Sequence, residues 1–293
     1  TGSSVNNDGG KRIRPLLVLL SATCYSENWH YSLPAASAIE LIHNFSLIHD
    51  DIEDNSELRR GRETVWKRWG MAQGINAGDL MFSIAQSVCT DLVKHIESER
   101  VVKILKILNR TCVELTKGQY LDMAYEALSD VSQDEYLRMI QGKTASLITC
   151  SCKIGAIAGG ASYSDAERFA EFGRNLGLAF QVKDDWLGIW GDEAVTGKSA
   201  ESDLIVGKKT LPVVLGLMDS HTFREGYIGK TIDYEQAAYL TRILESAGIK
   251  ERIEAESESL TRKALKELED QDINKLPYNA LIAVANQLTL RNK

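Results

Sequence analysis

The chain has 293 residues, 44% hydrophobic and 26% charged, and 34 Lys and Arg against 41 Asp and Glu leave it at −7. That composition supports a buried core and excludes a disordered or fibrous chain, while the acidic balance argues against a duplex nucleic-acid binder, which needs a basic footprint. No apolar run reaches the roughly 18 residues of a membrane span, and Thr1–Gly10 lacks a signal peptide's apolar stretch, so the chain reads as soluble and cytoplasmic.

The polar Gly/Ser/Asn stretch over 1–10 reads as a frayed or truncated start. Beyond it, apolar residues recur at helical spacing, and no proline interrupts the chain between Pro34 and Pro212. The periodicity predicts helices over 11–25, 33–56, 72–95, 99–127, 133–159, 164–190, 210–219, 234–247, 250–269 and 278–291. Ser32, Ser132 (with Glu135) and Ser164 (with Glu167) are the start signals. Loops are expected at 57–71, 191–209 and 219–233. With no linker or repeat of solenoid period, residues 1–293 read as one all-α domain. The five cysteines, Cys24, Cys89, Cys112, Cys150 and Cys152, are odd in number and scattered, which suggests buried thiols in a reducing compartment.

Chemistry concentrates at two places. The first is His49-Asp50-Asp51-Ile52-Glu53-Asp54, which emerges from the mostly apolar Leu41–Ile48 and is followed by Arg59-Arg60-Gly61. Asp50 and Asp54, four apart, share one helix face and repel unless a cation lies between them. Hard carboxylate oxygens of this kind suit Mg²⁺, which also accepts phosphate oxygens. The second is Gln181-Val182-Lys183-Asp184-Asp185, again in an apolar helix, and two such clusters can face each other across a helical bundle to hold metal. Lys11, Arg12 and Arg14, then Arg59 and Arg60, then Lys198, Lys208 and Lys209 supply cations suited to phosphate. Gly191 to Ser199 resembles a P-loop, but five residues separate its glycines where four are needed, and it follows a helix rather than a strand.

Taken together, Gly9–Pro15, Asp50–Asp54 with Arg59-Arg60-Gly61, Gly118-Gln119, Lys143-Thr144, Phe180–Asp185 and Gly191-Asp192 through Gly207–Pro212 resemble the ordered motifs of the trans-isoprenyl diphosphate synthases. The resemblance covers about residues 9 to 218. It implies an all-α bundle around a deep central cavity, usually a homodimer, that joins isopentenyl diphosphate head-to-tail to an allylic diphosphate. By the same resemblance Asp50, Asp54 and Asp184 would ligate about three Mg²⁺, supported by Asp51 and Asp185. Arg59, Lys143, Thr144, Gln181, Lys198 and Lys208 would contact the allylic substrate, and Lys11, Arg14, His43 and Arg60 the isopentenyl diphosphate. Asp50, Asp54, Asp184, Lys143 and Lys198 would carry catalysis by drawing off the diphosphate leaving group.

The family's second motif usually carries a third aspartate, and Gly188 stands at that position. The expectation is that Asp184→Ala removes most turnover whereas Gly188→Asp changes it little. Phe45 and Ser46, five and four residues before the first aspartate, would set product length and point to a short product, geranylgeranyl diphosphate, with farnesyl diphosphate the alternative. A terpene cyclase would not need the second diphosphate site, and a non-catalytic subunit would be expected to lose the first acidic motif.

Overall fold

The computed structural model describes residues 12–191 and 201–289, apart from the side chain of Ser202. The described residues divide into two compact units: those within 1–112, 150–167 and 272–278, and those within 113–149, 168–271 and 279–293. Both are helical, which accords with the all-α expectation.

In the first unit, α1 (Ile13–Thr23) packs on α2 (Leu33–Glu53), which packs along α4 (Met71–Thr90). The core here is made of small and aliphatic side chains, among them Leu17, Val18, Ala35, Ala38, Ile39, Ile42 and Ala85. Gly155 and Gly159, in α7 (Ser146–Gly159), let that helix touch the backbone of α1: a Cβ on Gly155 would come 2.3 Å from the Val18 carbonyl oxygen. The predicted loop over 57–71 holds more structure than its polar composition indicates. Strands β1 (Leu58–Arg59) and β2 (Arg62–Glu63) form a hairpin whose two turn residues, Arg60 (φ 53) and Gly61 (φ 75), are both left-handed, and the short helix α3 (Val65–Trp69) follows.

The second unit is built around α8 (Tyr163–Trp190), whose apolar residues Leu178, Ala179, Val182 and Ile189 lie in a core with Tyr136, Met139, Val213, Val214 and Leu240. Long α5 (Ser98–Glu126) leads to α6 (Gln133–Ile140). α6 starts on a reciprocal capping box in which Ser132 Oγ accepts from Glu135 N and the Glu135 carboxylate accepts from Ser132 N, as the spacing predicts. The single helix expected over 133–159 is instead broken by a π-helical turn at Gln141–Ala145. After residue 200 come α9 (Ser202–Val206), α10 (Leu211–Asp219), α11 (His221–Tyr227), α12 (Tyr234–Ser246), α13 (Ile249–Leu268) and α14 (Lys275–Thr289). The helices α9 and α11 fall where loops are expected; α11 is capped by Ser220, whose hydroxyl accepts from Phe223 N. Ser164 does not cap α8. Ser162 does, accepting from Asp165 N at 3.1 Å.

All five cysteines are free and buried, and burial raises their thiols, Cys24 and Cys150 to about 12. No helix among the described residues is long and apolar enough to cross a membrane.

Candidate functional site

The last turn of α2 carries the first acidic cluster. Asp54 N donates to the Asp50 carbonyl at 2.9 Å, so these two residues stand one helical turn apart, as their spacing predicts. Their environments differ from that of the residue between them: Asp54 is exposed, Asp50 half-buried and Asp51 only 4% exposed. Arg59, delivered by the hairpin, holds both neighbours, with Nε donating to Asp51 Oδ1 at 2.7 Å and Nη2 to Asp50 Oδ2 at 2.9 Å. Burial pushes the Asp51 carboxyl up, opposed by the Arg59 hydrogen bond and charge. One arginine thereby offsets a repelling pair, of which Asp51 is the buried member.

The hairpin is anchored from below. Ser56 O accepts from Thr64 Oγ1 at 2.9 Å and from Trp66 Nε1 at 2.8 Å, which fixes the loop that presents Arg59 and Arg60.

Two helical turns back along α2 from Asp50, His43 Nε2 accepts a hydrogen bond from Arg14 Nη1 at 3.2 Å, a role open only to neutral imidazole protonated on Nδ1. Burial first, then the charges of Arg14, Arg60 and Arg59, bring His43 down to about 3. Three guanidinium groups therefore act on one imidazole, and the predicted cations Arg14, Arg59 and Arg60 share one neighbourhood with His43. Burial lowers Arg14 to about 10, which leaves it charged at neutral pH, and its Nε is buried without a partner. A half-buried cation with a buried, unused donor suits an anionic ligand.

Further along α2, Phe45 lies edge-on to Phe82 of α4, ring centres 5.5 Å apart, and to His49 at 5.6 Å, so the candidate length-setting residue sits in an aromatic cluster. Ser46 donates from Oγ to the His43 carbonyl at 2.8 Å.

The second acidic cluster lies on α8 in the other unit. Asp184 is exposed, whereas Asp185 is 4% exposed and accepts three hydrogen bonds: from Tyr136 Oη, from Gln181 Nε2 at 2.8 Å and from the backbone N of Leu211 at 2.8 Å. Burial raises Asp185 to about 7 against those three bonds, and burial beside Asp185 pushes the Tyr136 phenol well up. Asp185 thus ties α8 to α6 and to the first residue of α10. Gln181 continues the chain, its Oε1 accepting from Thr144 Oγ1 at 2.7 Å, so both predicted substrate-contacting residues belong to this polar network. Lys183, adjacent in sequence, is 3% exposed and stacks 3.9 Å from the Trp186 ring centre, so its role is in packing.

Lys143 rises from the π turn. Burial of the backbone there demands glycine: a Cβ on Gly118 of α5 would come 2.0 Å from Lys143 N, and one on Gly142 would come 2.8 Å from the Glu114 carbonyl oxygen. The two backbones are in direct contact, which fixes Lys143, and its Nζ donates to the Asp122 carboxylate. Lys208 is exposed just after α9, its N donating to the Asp203 carbonyl at 3.1 Å. Lys11 and Lys198 lie outside the described residues.

A Cβ on Gly188 would lie 2.0 Å from Asp203 Oδ2, the end of a side chain, so Gly188→Asp requires that carboxylate to swing aside.

These motifs belong to a match with the polyprenyl synthetase family over residues 2–244. The chain is a member of that family. Among its relatives, the (2E,6E)-farnesyl diphosphate synthase of Mycobacterium tuberculosis is 46% identical over 72% of this chain and 58% of its own. A geranylgeranyl diphosphate synthase of Methanosarcina mazei is 45% identical over 70% of this chain and 63% of its own. The chain thus spans about three fifths of the length of these relatives. Among solved structures, a polyprenyl synthetase from Streptomyces coelicolor A3(2) superposes with a TM-score of 0.90 at 36% identity, over 98% of this chain and 87% of that one. The geranylgeranyl pyrophosphate synthase of Corynebacterium glutamicum, complexed with isoprenyl diphosphate and magnesium, gives 0.87 at 30% identity, over 97% and 87%.

Three residues of the chain escape the sequence reading: Asp122, Tyr136 and Asp203. Asp122 carries a signal, since it lies four residues after Gly118 on the same face of α5. Tyr136 and Asp203 gain their places only through tertiary contact.

Proposed function

We propose that the chain, acting as one domain over 1–293, catalyses the head-to-tail condensation of isopentenyl diphosphate with an allylic diphosphate. The product is a short trans-prenyl diphosphate, namely geranylgeranyl diphosphate. The observation that carries this reading is the division of labour within each acidic pair: Asp51 and Asp185 are buried and hydrogen-bonded, while Asp54 and Asp184 are exposed and Asp50 is half-buried against Arg59. Hard carboxylate oxygens are the donors that Mg²⁺ takes.

In this account Asp50 and Asp54, and separately Asp184, would hold Mg²⁺, which when bound supplies positive charge to a departing diphosphate. Arg59, and separately Lys143, Lys198 and Lys208, would contact diphosphate, and Lys143 is held by the π turn and Asp122. Thr144 and Gln181 orient Asp185 and line that contact. Arg14, Arg60, His43 and Lys11 bind isopentenyl diphosphate; neutral His43 offers an N–H rather than a charge. Stabilising the leaving anion in a preorganised site lets the allylic C–O bond ionise. The isopentenyl double bond then attacks the carbocation, the new carbon–carbon bond forms, and a proton leaves to the released diphosphate.

Phe45, backed by Phe82, would limit chain growth and so set the product with Ser46. Farnesyl diphosphate is the second reading, favoured by the name of the M. tuberculosis relative. The apolar Met71, Ile75, Leu80 and Ile84, all exposed on α4, support a homodimer. Five free, buried cysteines support a cytoplasmic setting. Incubating the pure protein with Mg²⁺, isopentenyl diphosphate and an allylic primer tests the reading; absence of any elongated prenyl product overturns it.

A further inference from the structure

We infer that Tyr227 is a positioning residue for Lys208: its ring holds Lys209 and its hydroxyl holds the Lys208 carbonyl, so that of two adjacent lysines Lys208 is the one presented to an anionic substrate. The inference rests on the proposed contact of Lys208 with diphosphate and deepens it.

The two lysines read alike in sequence, and the structure separates them. Lys208 is exposed, whereas Lys209 is half-buried with its Nζ 5.5 Å from the centre of the Tyr227 ring. Burial lowers the Lys209 ammonium, and the charge of Asp130, shortly before α6, opposes that shift. Asp130 is itself fixed, by Arg224 Nη1 at 2.6 Å and by Ser129 Oγ at 3.0 Å. Lys209 is thus occupied by a ring face and a nearby carboxylate within the second unit.

Tyr227 can hold its neighbours because its own place is fixed. It is 6% exposed, at the end of α11, and stacks on the fully buried Phe223 with ring centres 5.4 Å apart. Burial raises its phenol to about 12, so the hydroxyl keeps its proton and donates to the Lys208 carbonyl at 3.5 Å. That bond is long, but it does not act alone. Left-handed Gly207 (φ 81) turns the chain out of α9, and the Asp203 carbonyl accepts from Gly207 N at 3.2 Å and from Lys208 N at 3.1 Å. At the other end of this short strap Leu211 N donates to Asp185 Oδ2 at 2.8 Å, which fastens it to the residue beside Asp184. The backbone of Lys208 is therefore held on both sides, which reduces the ordering cost that substrate binding must meet.

The test measures KM and kcat for the allylic diphosphate and for isopentenyl diphosphate, with thermal melts alongside, in wild type, Lys208→Gln, Tyr227→Phe, Tyr227→Leu and the double variant Lys208→Gln/Tyr227→Phe. Lys208→Gln is expected to raise the allylic KM at least about tenfold. Tyr227→Phe keeps the ring beneath Lys209 and removes one long hydrogen bond, so it is expected to raise the allylic KM about two- to threefold and to leave that for isopentenyl diphosphate unchanged. Tyr227→Leu removes the ring as well and is expected to raise the allylic KM about tenfold. In the Lys208→Gln background Tyr227→Phe is expected to change nothing further, because the group it positions is gone. A Tyr227→Phe protein with the wild-type allylic KM, or with an effect of the same size whether or not Lys208 is present, overturns the inference even if Tyr227→Leu fails to fold. A Lys208→Gln protein with wild-type kinetics overturns the proposed role of Lys208 itself.

Discussion

Adjacent aspartates on α8 should fail in opposite ways. Replacing Asp185 by alanine strands three donors that now point at one buried carboxylate: Tyr136 Oη, Gln181 Nε2 and Leu211 N. Each buried donor left unsatisfied costs about 1–3 kcal/mol. Because removing the carboxyl also relieves its own burial, the low end applies, and the loss comes to about 3 kcal/mol. For a chain of this size that lowers Tm by roughly 6–12 °C. Asp184 is exposed, so Asp184→Ala should change the stability of the Mg²⁺-free protein by no more than about 0.5 kcal/mol. Its turnover should nevertheless fall about 10²–10³-fold, the scale for losing one preorganised electrostatic group. Thermal melts by circular dichroism in Mg²⁺-free buffer, together with a steady-state prenyl transfer assay, separate the two. A drop in Tm at Asp184→Ala equal to that at Asp185→Ala, or a drop under about 2 °C at Asp185→Ala, would refute the division of roles.

Other consequences are equally open to measurement. The native state holds the Asp185 proton up to about 7 because burial disfavours its charge, while the unfolded chain releases it in the ordinary carboxylate range. Native protein thus binds more protons between those values, and this group makes stability fall as pH rises toward 7. Asp185→Asn removes that slope, so urea melts at pH 5 and pH 7.5 should show the variant gaining on wild type at the higher pH; a gap that stays constant contradicts this. Gly118→Ala should cost about 1–3 kcal/mol and disturb Lys143, since its Cβ would press on Lys143 N at 2.0 Å; unaltered melting and turnover would rule out that backbone contact. Phe45→Ala empties the site facing Phe82 and should shift products to longer chains by chromatography, whereas an unchanged distribution removes Phe45 from length control.

Long helices were legible because their apolar period persists over many turns, and Ser132 with Glu135 announced a start that the structure bears out. Short elements were not: α3, α9 and α11 run five to seven residues, too few for a periodic pattern, and the hairpin rests on a left-handed Arg60 that composition does not announce. The π turn that lifts Lys143 answers to Gly118 meeting Gly142, a contact between residues 24 apart in the chain. Within the candidate site, spacing placed Asp50 and Asp54 on one face, while Arg14 and Arg60 were grouped with His43 only by resemblance. What spacing could not give was exposure. Asp184 and Asp185 read alike in sequence, and only Tyr136, Gln181 and Leu211 make one a scaffold and leave the other to solvent. Gly188 read as a lost carboxylate, yet its neighbour Asp203 lies 15 positions on, beyond any local pattern.

The claim that this chain elongates allylic diphosphates is tested most directly by incubating purified protein with Mg²⁺, isopentenyl diphosphate and, separately, dimethylallyl, geranyl and farnesyl diphosphate, then resolving the products by chain length. The account predicts Mg²⁺-dependent elongation ending at geranylgeranyl diphosphate, and its disappearance in Asp184→Ala protein that melts like wild type. Cyclic hydrocarbons, no elongation with any of the three primers, or full activity in Asp184→Ala would contradict it.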